Sequence, residues 1–196
     1  MPKPISLETL LTQIRTCRRC EGMLPLGARP VLRAKETARI LIVGQAPGLR
    51  VHETGIPWND PSGDRLREWM GLDRDDFYDD TRVAIIPMGF CYPGRNPKGG
   101  DLPPRPECAP LWADTLRSML PGIALTVLAG QYAQRWHLGD RMKGNLTDTV
   151  KRWREYAPHH IPLPHPSFRN NLWIKQNTWF TEEVIPYLKK RVAELM

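Results

Sequence analysis

Short, continuous apolar runs alternate along this chain with stretches whose apolar residues recur every three or four positions. Arg39 to Gly44, Val83 to Met88 and Leu125 to Gly130 are runs of the first kind, and His160 to Pro164 is a weaker fourth. Such runs, closed by Gly or Pro, predict strands buried on both faces of a parallel sheet. Ser62 to Met70, Arg105 to Leu120, Gln131 to Leu138 and Thr147 to Tyr156 carry the helical period. Ser6 is placed to cap a helix through Leu7, Leu10, Leu11 and Ile14, ending at a C-x-x-C. A last helix, about Trp173 to Leu195, contains Pro186, which lacks an amide donor and should kink or break it. Strands alternating with helices predict an α/β fold, a three-layer αβα sandwich around a mainly parallel four-stranded sheet.

The 196 residues suit one domain spanning 1–196, because single cores stop growing beyond about 250 residues. A chain that is 41% hydrophobic and 25% charged lies far from the disordered class. Its longest apolar stretches fall well short of the roughly 20 residues that span a bilayer, so no membrane partner is expected. The N-terminus carries neither an apolar h-region nor an A-x-A-like site, and the expected location is cytoplasmic, as a monomer. The net charge of +7 suits an anionic partner such as nucleic acid or acidic lipid.

Thiols of cytoplasmic proteins stay reduced, so the four cysteines are read as metal ligands, catalytic groups or core residues rather than disulfides. Cys17 and Cys20 form a C-x-x-C that lets two thiolates converge from one turn. Cys91 and Cys108 lie far downstream, across a segment rich in Pro and Gly. Zinc, an iron-sulfur cluster and unrelated buried thiols all remain open on spacing alone.

Ligands of open α/β sheets bind beyond the carboxyl ends of the strands. Two loops there carry chemistry. Gly44-Gln45-Ala46-Pro47-Gly48 follows the first strand and runs on to Thr54-Gly55-Ile56-Pro57-Trp58-Asn59-Asp60. His165-Pro166-Ser167-Phe168-Arg169-Asn170-Asn171 follows the last.

These loops and the cysteines together resemble the uracil-DNA glycosylase superfamily, most closely its iron-sulfur branch, usually called family four. That branch reads G-E-G-P-G or G-Q-A-P-G after strand one, then T-G-x-P-F, and later H-P-S or H-P-A. Gly44 to Gly48, Thr54 to Trp58 and His165 to Ser167 fit these motifs, and Cys91 to Asn96 follow the branch's C-x-P-P/G-x-N. The resemblance implies a monofunctional glycosylase that hydrolyses the N-glycosidic bond of a flipped, deaminated base, uracil or hypoxanthine, in base-excision repair of DNA. It implies a 4Fe-4S cluster on Cys17, Cys20, Cys91 and Cys108, structural in role. Trp58 takes the place of the stacking Phe. His165 would donate a neutral N–H to the base carbonyl beside the scissile nitrogen, helped by the backbone amides of Gln45 and Ala46. Gly44, Ala46, Pro47, Pro87 and Asn170 would line the base pocket. Ser167, Phe168 and Arg169 would meet DNA, Phe168 as a wedge and Arg169 on a phosphate. Trp58 and His165 are expected to bracket the extruded base.

The chain departs from that pattern in two places. The Asn that reads the uracil edge is Pro87 here, which offers no amide side chain. The acid of the first motif is Gln45, leaving His52 or Glu53 to position water, and Asn59, Asp60, Asn96 or Asn170 to read the base. Competing readings are a noncatalytic nucleic-acid binding protein of the same fold, and an unrelated enzyme whose cysteines hold zinc.

Overall fold

A computed structural model describes residues 5–196 of the chain. Four strands, β1 (Ile40–Val43), β2 (Val83–Ile85), β3 (Leu125–Ala129) and β4 (His160–Leu163), form one sheet. Their order is β2-β1-β3-β4 and every pairing is parallel, with Ile40 opposite Val83 and Leu125, and Thr126 opposite His160. The sequence thus placed each strand, though β2 ends before Ile86 and Pro87.

Side chains alternate across a strand, and here the alternation divides the core. Leu41, Val43, Ala84, Ile86 and Leu128 face one apolar layer with α1 (Leu7–Arg15), α5 (Cys108–Ser118) and α6 (Gln131–Leu138). Ile40, Ile42, Val83, Ile85, Val127, Ile161 and Leu163 face the other, with α3 (Pro61–Met70), α4 (Arg74–Tyr78), α7 (Leu146–Lys151) and α9 (Ile185–Ala193). Helices on both faces make the three-layer sandwich that the pattern predicts. Phe180 is fully buried in the second layer, its ring meeting those of Trp69, Trp173 and Trp179 edge-on. Removing such a side chain costs about 3–5 kcal/mol.

Several helices differ from the periodic reading, each for a local reason. Ser6 does cap α1, accepting from the Thr9 amide at 3.2 Å. α5 starts at Cys108 rather than Arg105, because Pro106 disfavours helical geometry in the residue before it. The segment 147–156 is helical only to Lys151 and continues as a 3-10 turn, Trp153–Glu155. The expected last helix is two: α8 (Asn171–Gln176) stops at Asn177, and α9 follows. Pro186 breaks nothing, since a wide π-turn at Phe180–Val184 precedes it and it stands in the first turn of α9, where a helix has no use for its missing N–H. A short helix in the first loop, α2 (Leu49–Thr54), has no strong apolar period and was not foreseen.

Candidate active site

The carboxyl ends of β1, β2 and β4 open into one cavity of about 570 Å³. The order β2-β1-β3-β4 makes the chain leave β1 toward one edge of the sheet and β3 toward the other, so a crevice at this rim follows from topology. Its walls carry the first loop from Gly44 to Gly48, then Trp58, Asp60, Pro87, Asp101 and His165 to Asn170.

Trp58 is held by an unusual backbone. Its φ is 55°, in the left-handed region that a bulky side chain enters only at a cost. Neighbours fix it there. The Arg67 guanidinium donates to its carbonyl at 3.3 Å, and the Tyr78 hydroxyl donates to the Pro57 carbonyl at 2.8 Å. Two glycines make room: a Cβ on Gly44 would stand 2.7 Å from the indole, and one on Gly63 would fall within the Trp58 carbonyl. Asp60 caps α3, its Oδ1 accepting from the Gly63 amide at 2.8 Å.

His165 is positioned from the other half of the chain. Gln134 of α6 is fully buried and donates to the Leu163 carbonyl at 2.8 Å, and the Gly130 amide donates to the same carbonyl at 2.9 Å, fixing the end of β4. The Asn170 amide donates to the His165 carbonyl at 2.6 Å, folding the last loop over. Burial pushes the His165 imidazole below its ordinary pKa, against the pull of the Asp60 carboxylate, so it is a neutral N–H donor at pH 7.

The two rings, from opposite halves of the chain, meet at one cavity. Their centroids are 5.5 Å apart and their planes are tilted by 34°.

Gly44, Gln45, Ala46, Pro47, Pro87, Asn170, Ser167, Phe168 and Arg169 all line the cavity. Phe168 is 73% exposed, so it packs into no core. The Arg169 guanidinium lies over the Gly99–Gly100 turn, where a Cβ on Gly99 would stand 2.5 Å from it. Gln45 donates to the Leu102 carbonyl at 3.0 Å. His52 and Glu53 are not among the lining residues. His52 lies in α2 with its ring 6.1 Å from that of Tyr92 and its Nδ1 buried without a partner. Asn59 takes the Arg74 guanidinium, and Asn96 caps its own turn by accepting from the Lys98 amide. Of the four groups considered for base reading, Asp60 and Asn170 reach the cavity. Sequence reasoning missed Asp101, whose loop shows no periodicity and only a Gly-Gly signal before it. It remains open to the cavity's water, yet the protein around it and then the Asp60 carboxylate raise its carboxyl above the ordinary range, against Arg95 and Arg169.

Cys17, Cys20, Cys91 and Cys108 line a second, small pocket together with Arg19 and Arg105. Burial raises the Cys91 thiol to about 11 and the Cys108 thiol to about 12. The donor set, four free thiols facing one space beside two guanidiniums, fits a thiolate-bound group. Among the described residues, no trio of His, Cys, Asp or Glu is grouped as a single ion would need.

The Uracil DNA glycosylase superfamily matches residues 33–189, well over half of the chain. The chain belongs to that superfamily. Members of the superfamily are typically DNA glycosylases, hydrolases that act on damaged bases, which carries with it binding to DNA. The match takes in both cavity loops, Cys91 and Cys108, and starts after Cys17 and Cys20. No helix among the described residues is long and apolar enough to cross a membrane.

Proposed function

We propose that this superfamily member removes a deaminated base, uracil or hypoxanthine, from DNA by hydrolysing its N-glycosidic bond. The observation that carries the reading is Trp58 and His165, distant in sequence, meeting at 5.5 Å on the wall of one cavity at the strand ends. The cavity takes a flipped nucleotide, since the bond and base edge are out of reach inside the stack. Trp58 offers the face of its indole to the base, recovering about 1–3 kcal/mol of the stacking lost on extrusion. Bond cleavage leaves negative charge on the base, which the neutral N–H of His165 and the amides of Gln45 and Ala46 stabilise. Phe168, already in solvent, fills the gap left in the duplex. The chain's Lys and Arg neutralise phosphates.

Cys17, Cys20, Cys91 and Cys108 would hold a 4Fe-4S cluster, tying the end of α1 to the segment after β2 and the start of α5. Such a cluster supplies folding free energy and no step of the hydrolysis. Iron and sulfide content of anaerobically purified protein tests it; stoichiometric zinc without iron would replace the assignment.

Incubation with oligonucleotides carrying uracil, hypoxanthine or xanthine, single- and double-stranded, followed by alkaline cleavage, tests the reaction. Abasic product is expected from at least one, reduced about 100- to 1,000-fold in His165→Ala. Pro87 in the cavity wall favours one other reading, DNA binding without excision. Salt-dependent binding with no abasic product from any base would establish it instead.

A further inference from the structure

Hydrolysis is accelerated by a group that takes a proton from the attacking water beside the sugar. Among the described residues, the carboxylates lining the cavity are Asp60 and Asp101. Asp60 already has one oxygen occupied as a cap, its Oδ1 accepting the Gly63 amide at the start of α3. Asp101 is free of such a duty, and the loop that carries it is built to hold it at the cavity. Asn96 donates its amide to the Gly100 carbonyl and Leu102 to that of Gly94, each at 2.8 Å, while Arg95 and Asp101 pair as an antiparallel bridge. Gln45 reaches across from the first loop to the Leu102 carbonyl, one residue beyond. Its side chain, which does no acid–base chemistry, thereby anchors an acid from another loop. The Asp101 Oδ2 lies 3.3 Å from where a Cβ on Gly48 would stand, against that same first loop.

We propose that Asp101 is the catalytic residue that orients and deprotonates the attacking water. This rests on the glycosylase reading. As the water oxygen bonds to C1′, the N-glycosidic bond breaks and its electron pair leaves with the base. Asp101 accepts one water proton and returns it to solvent, and the departing base takes a proton from solvent. Abasic sugar and neutral base account for every atom. In the same step the Asp101 carboxylate faces the positive charge that develops on the sugar. Gln45 is a positioning residue for this acid.

The test is single-turnover excision on whichever oligonucleotide the wild type processes. Asp101→Asn should be slower by about 100-fold or more, with unchanged melting temperature and unweakened affinity for DNA bearing an abasic-site analogue. Wild-type activity should fall on the acid side with an apparent pKa above the ordinary carboxylate value, and Asp101→Asn should lose that limb. Asp60, Arg95, Arg169 and Tyr92 couple electrostatically to Asp101, and Arg65 and His165 line the same cavity, so Asp60→Asn is run alongside; it should shift the limb downward and retain it. Asp101→Ala should recover part of its rate in formate, as a misfolded protein would not. Gln45→Leu should slow excision while keeping the limb. An Asp101→Asn rate within about threefold of wild type, or a limb that vanishes with Asp60→Asn alone, overturns the role of Asp101 and leaves the glycosylase reading standing. A wild type inert on every base defeats that reading, and this role with it.

Discussion

Trp58 is where backbone, packing and chemistry meet. Its left-handed φ would be cheap for glycine and is costly for tryptophan, so the surroundings must over-determine it. Gly63 is part of that enclosure, and Gly63→Ala drives a methyl into the Trp58 carbonyl. Overpacking of this kind costs about 1–3 kcal/mol, which for a domain of this size lowers Tm by roughly 2–12 °C; differential scanning calorimetry checks it. Trp58→Ala leaves the loop but removes the platform. Excision should slow by about 5- to 150-fold, the equivalent of 1–3 kcal/mol, with Trp58→Phe retaining most of the rate. Trp58 and His165 were legible in sequence because each sits in a short motif of fixed order. The 34° tilt between them was not, since motif spacing fixes which loop a ring belongs to and leaves its tilt to packing. Asp101 was illegible for a related reason: its loop is shaped by Gly94, Gly99 and Gly100, all at positive φ, and by a cross-loop bond from Gln45.

Among the elements, strands were read well and helix ends less so. Continuous apolar runs marked β1 to β4 because both faces of the sheet are covered, so nearly every strand position is apolar. α2 escaped notice because only Val51 of its residues is buried. Helix α6 and strand β4 also carry an acid sensitivity that no pattern displays. His137 and His160 are held at about 4, burial first and neighbouring positive charge second. Both stay neutral in the fold while the unfolded chain takes up protons near pH 6.5. Stability is therefore full above about pH 6.5 and is lost as pH falls toward 4. Urea midpoints should drop between pH 7.5 and 5, and His137→Gln should flatten part of that slope.

The charge of +7 becomes meaningful once the cavity is placed at one rim of the sheet with Arg169 beside it. Affinity for duplex DNA should fall steeply with salt, and Arg169→Ala should reduce the slope of log K against log salt by about one if that side chain takes a phosphate. Fluorescence anisotropy at several salt concentrations measures it, and an unchanged slope assigns Arg169 to the Gly99–Gly100 turn alone. Phe168 adds the opposite tendency. Its phenyl ring stands in water, and the gain of about 25 cal/mol per Å² on leaving solvent is open to any apolar surface. Phe168→Ser should therefore give a preparation less prone to clump on storage and, on the proposed reading, one that excises more slowly from duplex DNA while keeping its rate on single strands.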